Sequence, residues 1–360
     1  MKKIMINGAS LAGKEIYGVQ RNALELLKEL DHIVDKGRIQ LLIPGYETET
    51  ERLQFDNVEV KVIGKPGAGR GRLSKFRWNH LLFPLQVRKQ KAIGIDMMLA
   101  LPLWGCDGVY LCDCITERFP QNEKTFREKL WRYYYIIRAG RSIRRCQKIW
   151  TLSQYSKQDI IDYYHCSEEK ISVIPCGWQH FQHIEADMSV MDRYCLNEKK
   201  YFFSLGSRYY HKNFRWVMEA AKQNPQYTFV ITGSRTLNTS DRDIEEQNLN
   251  NLIFTGYLTD GEIKALMKNC RAFIQPSLYE GFGLPPMEAM SVGAKCIVSN
   301  ASSLPEIYKN SVWYIDPLDY SGIDMDKIME TRIESAEIIL ENYSWRKSAE
   351  LFWKELQLLL

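Results

Sequence analysis

No apolar run in the sequence approaches the roughly 20 residues that a bilayer-spanning helix needs, so the chain does not read as an integral membrane protein. The opening MKKIMINGAS carries two lysines but loses its apolar character at Asn7 and Gly8, too early for the hydrophobic segment of a signal peptide. An excess of either charge is also lacking. With 48 basic residues against 44 acidic ones, the balance excludes a nucleic-acid binder that works by bulk charge, and any basic surface must be local. Nine cysteines, odd in number and irregularly spaced, form no disulfide framework, and Cys112 with Cys114 lacks the spacing of a paired metal-ligand motif. There is no 20- to 50-residue repeat and no low-complexity tract. These absences predict a cytoplasmic protein in a reducing compartment, with no nucleic-acid partner.

What is present is an alternation. KIMIN (Lys3 to Asn7), IQLLIP (Ile39 to Pro44), VEVKVIG (Val58 to Gly64), GVYLCD (Gly108 to Asp113), KIWTLS (Lys148 to Ser153) and ISVIP (Ile171 to Pro175) read as buried strands. Val19, Ala23, Leu26, Leu27 and Leu30 recur between the first two at helical spacing. The pattern restarts with YFFSLGS (Tyr201 to Ser207), TFVITGS (Thr228 to Ser234), LIFTGY (Leu252 to Tyr257), AFIQPS (Ala272 to Ser277), KCIVSN (Lys295 to Asn300) and VWYID (Val312 to Asp316). Thr259-Asp-Gly-Glu262 has the spacing of a capping box and fixes one helix start. Parallel strands require crossover helices, so two such sets predict an α/β protein of two doubly wound parallel-sheet domains. The weakly patterned stretch from Cys176 to Lys200 is the expected linker. Ligands of these sheets sit at the carboxyl ends of strands, which places the expected site in a cleft between the domains.

The segment EGFGLPPME (Glu280 to Glu288) follows the strand AFIQPS and precedes a helical run closed by Gly293. Prolines are tolerated in a helix's first turn, so the helix is expected to start at them, with Glu288 in that turn. The amides of Gly281, Phe282, Gly283 and Leu284 suit oxygen-rich or anionic groups, and Glu280 and Glu288 suit hydroxyls, a diol above all. Taken alone, each acid would more simply cap a turn or a helix end. Two carboxylates also fit glycoside hydrolysis, but that chemistry needs no anion site. Here SLGSRYYHKNF places Arg208, His211 and Lys212 just after a strand end, where a phosphate would meet cations and a helix start. A nucleotide-diphosphate leaving group is therefore favoured over hydrolysis.

Other chemistries fit less well. GASLAGKE (Gly8 to Glu15) nearly matches a phosphate-binding P-loop with Lys14, but Glu15 stands where the metal-binding hydroxyl belongs and would repel a triphosphate. Asp241-Arg-Asp243 and Asp324-Met-Asp326 fit a short metal-binding acidic motif of a kind frequent by chance, and no required metal is expected.

The run QPSLYEGFGLPPMEAMSVGAKCIVSNASSLPEIY (Gln275 to Tyr308) resembles the signature of the retaining glycosyltransferase family 4, whose GT-B fold sets two Rossmann-like domains face to face. The resemblance extends to YGVQRNALELL, TLSQYSKQDI, KISVIPCG, GSRYYHKN and FTGYLTDGEIKALM, and YSW (Tyr343 to Trp345) resembles the start of the family's last helix. Residues 66–126 match weakly. The domains it implies are an acceptor-side domain over 1–180, a donor-binding domain over 181–340, and a helix over 341–360 that crosses back to the first domain. It implies that Glu280 binds hydroxyls of the donor sugar and the amides of Gly281 to Leu284 contact sugar and diphosphate. Glu288 would hold the ribose, Lys212 would neutralise the diphosphate, Gly18 would bring backbone amides to the phosphates, and Tyr257 would lie near the base. Arg208 and His211 both fall near the family's phosphate-binding arginine without matching it. Cys112-Asp113 stands where the family often has His-Asp, leaving Asp113 as a candidate assisting acid. The implied reaction is retaining, metal-independent transfer from a nucleotide-diphosphate sugar to a saccharide or lipid-linked acceptor in surface polysaccharide synthesis. A non-catalytic nucleotide-sugar-binding protein is the alternative that Cys112 raises, and a sugar-nucleotide epimerase of the same shape is a further one.

KTFREKLWRYYYIIRAGRSIRRCQK (Lys124 to Lys148) holds nine basic residues against one acid, interleaved with Trp131, Tyr133, Tyr134 and Tyr135. It reads equally as a solvated helix with an aromatic inner side or as an interfacial helix that docks an anionic inner leaflet through Arg132, Arg138, Arg141, Arg144, Arg145 and Lys148.

Overall fold

The computed structural model describes residues 2–13, 18–47, 50–51, 53–64, 71–206, 209–233 and 249–360. The chain forms two compact units, Met1–Gly177 with Trp345–Leu360, and Trp178–Ser344. In the first, β1 (Ile4–Asn7), β2 (Ile39–Pro44), β3 (Glu59–Ile63), β4 (Ile93–Asp96), β5 (Gly108–Tyr110), β6 (Lys148–Thr151) and β7 (Ile171–Val173) form one parallel sheet in the order β3-β2-β1-β4-β5-β6-β7. In the second, β8 (Tyr201–Ser204), β9 (Thr228–Ile231), β10 (Leu252–Phe254), β11 (Ala272–Gln275), β12 (Cys296–Ser299) and β13 (Trp313–Ile315) form another in the order β10-β9-β8-β11-β12-β13. Every strand pairing is parallel.

Each sheet is doubly wound. The order reverses between β1 and β4 in one and between β8 and β11 in the other, and at such a switch point loops diverge and leave a crevice above the strand ends. Both sheets are covered on their faces, so their inner strands are apolar without alternation: all four residues of β1, β8, β11 and β12 are buried. β3, at the edge of its sheet, exposes much of its length.

β4 is the strand that the sequence pattern does not announce, because Gly94 interrupts its apolar run. A Cβ at Gly94 would sit 2.2 Å from the carbonyl oxygen of Gly105, so only glycine allows that backbone approach. Strand β5 is shorter than expected. It ends at Tyr110, and Asp113 beyond it accepts a hydrogen bond from the Ile115 amide (3.0 Å) at the start of the short helix Ile115–Arg118.

Capping boxes fix two helix starts among the described residues. Thr259 and Glu262 form the expected box at the head of Asp260–Asn269, and Thr125 and Glu128 form another at the head of Phe126–Arg145. The stretch from Cys176 to Lys200, expected as a linker, is folded into the second unit beyond Gly177. It contributes the turn Gln179–His183 and the helix Ser189–Arg193. The last helix, Trp345–Gln357, belongs to the first unit. Its buried Phe352 meets the rings of Trp150 (4.9 Å) and Tyr110 (5.9 Å) edge-on, and Glu355 pairs with Lys148 (2.9 Å) and accepts from the Ser172 hydroxyl (2.9 Å).

Candidate functional site

The second unit carries most of the candidates, and the sheet order brings them together. Lys212 ends a 3-10 turn, Tyr210–Lys212, in the connection that follows β8, and Glu280 lies five residues past the end of β11. Because β8 and β11 are neighbours across the switch point, these two loops meet. Lys212 Nζ lies 2.7 Å from Glu280 Oε1. The same oxygen accepts from the Ser277 hydroxyl (2.6 Å) and the Gln275 side-chain amide. The Glu280 amide donates to the Ser302 hydroxyl (2.9 Å), and its carbonyl accepts from the Ser303 hydroxyl (2.9 Å). Glu280 is buried, and burial alone would raise its carboxyl. The Lys212 ammonium and the Ser277 hydroxyl outweigh that and hold it below the usual glutamate value.

His211 is expected near the phosphate-binding position, and the structure places it in the same turn as Lys212. It is buried and stacked on Tyr209, with ring centroids 5.6 Å apart. Burial, reinforced by Lys212, lowers its pKa to about 4, which leaves it neutral near pH 7. Its backbone carbonyl accepts from the Leu278 amide (2.7 Å), which ties the Lys212 turn to the Glu280 loop. Next in sequence, Asn213 holds a left-handed conformation (φ 52°) and donates to the carbonyls of Pro276 (2.9 Å) and Pro317 (2.7 Å). Asn213 is not a site candidate in the sequence, yet its side chain ties the end of the Lys212 turn to the segments that follow β11 and β13. Arg208 lies outside the described residues.

The helix after Glu280 runs Leu284–Ser291. It starts one residue before the prolines, so Glu288 is its fifth residue and sits beyond the first turn, contrary to expectation. Gly283 adopts φ +85°, and a Cβ there would lie 2.4 Å from Leu304 Cδ2. Pro285 and Pro286 carry no N–H, so of the first four helical residues only Leu284 and Met287 offer an amide. Donors for an anion must therefore come mainly from the loop Gly281–Leu284. Its Phe282 is buried and packs edge-on against Tyr343, 5.4 Å away, and the Tyr308 hydroxyl donates to the Gly283 carbonyl. Glu288 Oε1 is 2.9 Å from His180 Nε2, with both side chains largely buried. Tyr257, after β10, is 88% exposed.

In the first unit, Gly18 opens the helix Gly18–Asp31 at the surface, and a Cβ there would meet nothing within 4 Å. Asp113 is half-buried in the turn already described, beside Cys112, whose thiol is buried and shifted up by desolvation. Lys14 and Glu15 of GASLAGKE, and Asp241-Arg-Asp243, lie outside the described residues. Asp324 caps the helix Met325–Glu330, and Asp326 accepts from the Tyr227 hydroxyl (2.6 Å) and from Arg271 (3.1 Å), so this triplet is structural. Among the described residues, no three His, Cys, Asp or Glu side chains converge as metal ligands.

The basic helix Phe126–Arg145 departs from expectation. Of the six cations proposed to reach a membrane, four are tied to the helix's own unit. Arg132 donates to the carbonyls of Thr116 and Glu117, Arg138 to that of Ala100 and Arg145 to that of Leu103, while Lys148, beyond the helix, pairs with Glu355. Arg127, Lys129, Arg141 and Arg144 are exposed, and Arg145 is exposed as well despite its bond to Leu103. Among the described residues, no helix is long and apolar enough to cross a membrane.

Residues 195–337 match the family described as Glycosyl transferases group 1. The chain is 24% identical over 324 residues to the O-antigen chain mannosyltransferase RfbU of Salmonella typhimurium, covering 88% of this chain and 87% of that one. It is 28% identical over 248 residues to the serotype-specific mannosyltransferase WbdA of Escherichia coli, covering 64% of this chain but only 30% of that longer protein. Among solved structures it is similar to sucrose-phosphate synthase from Thermosynechococcus elongatus (TM-score 0.74, 12% identity, 100% and 99% of the two chains). It is also similar to Anabaena HepE in complex with UDP-glucose (TM-score 0.70, 16% identity, 99% and 100%). These likenesses carry the fold, which is GT-B.

Proposed function

We propose that this chain, a member of the group 1 glycosyl transferases by its residues 195–337, moves a sugar from a nucleotide-diphosphate donor to a saccharide or lipid-linked saccharide acceptor in surface polysaccharide assembly. The observation that carries the proposal is the Lys212–Glu280 pair at the switch point of the second sheet, inside the matched segment. Lys212 meets the diphosphate and gives up part of its contact with Glu280 as negative charge grows on the leaving group, so its interaction is strongest in the transition state. Glu280, fixed through Oε1 by Ser277 and Gln275, presents Oε2 to a hydroxyl of the donor sugar. The amides of Gly281 to Leu284 take the remaining phosphate and sugar oxygens, and Glu288 takes the ribose diol. Tyr257 lies against the base.

The transfer proceeds with retention. Glu280 already accepts three hydrogen bonds on one oxygen, one of them from an ammonium, which makes it a poor nucleophile. Attack therefore comes from the face that the leaving group vacates, with a donor phosphate oxygen taking the acceptor's proton. Lys212 and backbone amides do the work of charge neutralisation, and no metal is required. Mannose is the donor sugar we propose, by likeness to the mannosyltransferases RfbU and WbdA. A panel of UDP-, GDP- and dTDP-sugars in a thermal-shift assay tests the reading. A donor at 100 times its Kd stabilises by about 2.7 kcal/mol. NMR of the product then reports the anomeric configuration. If no nucleotide sugar raises the Tm, the donor reading fails, and an inverted product would overturn retention alone.

The first unit contributes peripheral contact with an anionic membrane surface. Phe126, Leu130, Tyr133 and Ile137 are exposed along the basic helix beside Arg127, Lys129, Arg141 and Arg144. Three or four cations at about 1 kcal/mol each give weak, salt-sensitive docking. Co-sedimentation with anionic vesicles at low salt is the expected result, and equal partitioning to neutral ones would sink it.

A further inference from the structure

A second concavity lies wholly within the first unit. A cavity of about 350 Å³ is walled by the segment 72–80 and one side of the helix Phe126–Arg145. The segment begins as the helix Arg72–Arg77 and continues as a π-helix, Trp78–Leu82, a rare geometry frequent at functional sites. Among the described residues, three cations line the cavity, Arg72, Lys75 and Arg138, and no carboxylate does. The Arg72 guanidinium lies over the Trp131 ring (5.3 Å) and that of Arg138 over the Tyr134 ring (4.9 Å), which holds both cations in place. Arg138 also faces the buried Asp96, but that carboxylate already accepts from the amides of Met98 and Leu101.

Two buried polar atoms here have no partner among the described residues, His80 Nδ1 and Arg138 Nε. His80 is 6% exposed, Tyr134 stands against its Nε2 (OH to N, 3.4 Å), and Phe76 packs edge-on at 4.6 Å. In the tautomer whose Nε2 accepts from the Tyr134 hydroxyl, the proton of the neutral imidazole sits on Nδ1 as an unsatisfied donor. An unsatisfied buried donor costs roughly 1–3 kcal/mol, which an incoming acceptor would recover. Around the cavity the same two segments expose apolar side chains, among them Leu73 (72% exposed) and Phe126 (83%).

We propose that this cavity is a binding site for a phosphate or diphosphate ester, the charged headgroup of an amphiphilic acceptor whose hydrocarbon lies along the exposed apolar side chains. Arg72 and Lys75 supply charge at the mouth and Arg138 along the wall, and side-chain shifts on filling bring Arg138 Nε and His80 Nδ1, buried in the empty cavity, to phosphate oxygens. The proposal rests on the glycosyltransferase reading for the word acceptor, but the site itself is defined without the donor.

The test is binding without a nucleotide sugar, using three probes on the full chain: geranyl diphosphate, inorganic diphosphate and glucose 1-phosphate. Calorimetry is expected to show saturable, salt-sensitive binding. The double variant Arg72→Gln/Lys75→Gln, at two exposed positions, should weaken it at least 10-fold while thermal shifts with nucleotide sugars stay unchanged. Imidazole NMR should show the His80 pKa, held at about 4 by burial and by Arg138, rising when the site is filled. Geranyl diphosphate binding tighter than both other probes identifies a lipid headgroup as the source. Equal or tighter binding of glucose 1-phosphate at the same site identifies a soluble phosphorylated sugar. If none of the three saturates, or if the double variant binds as tightly as the parent, there is no such site. Loss of the nucleotide-sugar shift with these results intact would overturn the donor reading and leave the cavity standing.

Discussion

Lys212 and Glu280, 68 residues apart in sequence, are joined at 2.7 Å because they follow two strands that are neighbours in the sheet only where its winding reverses. The pair is half inside the protein: Glu280 is buried, while the Lys212 side chain keeps 26% of its surface exposed. Removing the cation therefore has two effects that separate experimentally. Lys212→Ala should lower turnover by roughly 10² to 10³, the scale for losing one preorganised contact to developing charge, with a smaller effect on donor affinity. It should also raise the Glu280 pKa, because desolvation is then opposed by Ser277 and Gln275 without the ammonium. Activity of Lys212→Ala at the parent level would place the leaving group elsewhere.

Glu280→Gln should keep the shape of the loop, since the Ser302 and Ser303 contacts go to its backbone. The charge on Oε1 is lost, and with it the pairing to Lys212. Free nucleotide should bind as before, while discrimination among donor sugars falls. Competition binding with free nucleotide diphosphates and the matching sugars reads the difference.

Gly283→Ala should be costly although it adds one carbon. The position combines a left-handed φ of +85° with a Cβ contact of 2.4 Å to Leu304 Cδ2. Strain of about 1–2 kcal/mol and overpacking of about 1–3 kcal/mol act together. Chemical denaturation should show a fall in midpoint with an unchanged m-value. A variant as stable as the parent would mean that the loop takes another path.

The alternation of strands and helices was legible in the sequence because both sheets are buried on two faces and their strands are therefore plain apolar runs. β4 was not, since Gly94 serves a backbone contact with Gly105 that no periodicity encodes. At the candidate site the acids, glycines and lysine were visible as a cluster. Their support was visible only in part: Gln275 and Ser277 lie within five residues of Glu280, but Ser302, Ser303 and His180 reach the site through the fold. The neutral state of His211 was hidden for the same reason, since burial is a tertiary property. The basic helix was legible as basic, but an arginine count does not reveal which guanidinium groups reach backbone carbonyls.

Glu117 should give the protein a stability slope that runs against the usual acid limb. It is buried, and burial, opposed in part by the Tyr164 hydroxyl, raises its pKa to about 7, with Asp113 and Asp159 adding to the rise. Between pH 4.5 and 7 the folded state then holds a proton that the unfolded chain has released. Stability falls as pH rises through this window and stays reduced above it. The shift corresponds to a loss on the order of 3 kcal/mol above pH 7. His80 and His211, neutral in the fold down to about pH 4, act in the opposite sense between pH 6.5 and 4, so the parent curve alone is flattened. The difference between Glu117→Gln and the parent isolates the effect, and it should grow in favour of the variant from pH 4.5 to 7 and then level off. A difference that is constant with pH would show that Glu117 titrates alike in the folded and unfolded chain.

The contact of His180 with Glu288 predicts how the ribose end of the site is organised. Glu288 sits in the second turn of its helix, too far along to serve as a capping acid, and His180 holds its Oε1 at 2.9 Å from a turn 108 residues earlier. If that hydrogen bond fixes the carboxylate for a diol, His180→Ala should free the side chain without removing its charge. Donor KM should then rise several-fold with little change in kcat, because ribose contacts are made equally in the ground and transition states. Glu288→Gln should give a larger KM effect in the same direction, and the double variant should add little to it, since both changes act on one contact. A 2′-deoxyribose donor closes the argument: it should bind the parent weakly and should lose nothing further on Glu288→Gln. Full additivity of the two variants, or equal sensitivity of the ribose and deoxyribose donors to Glu288→Gln, would assign His180 and Glu288 to packing alone.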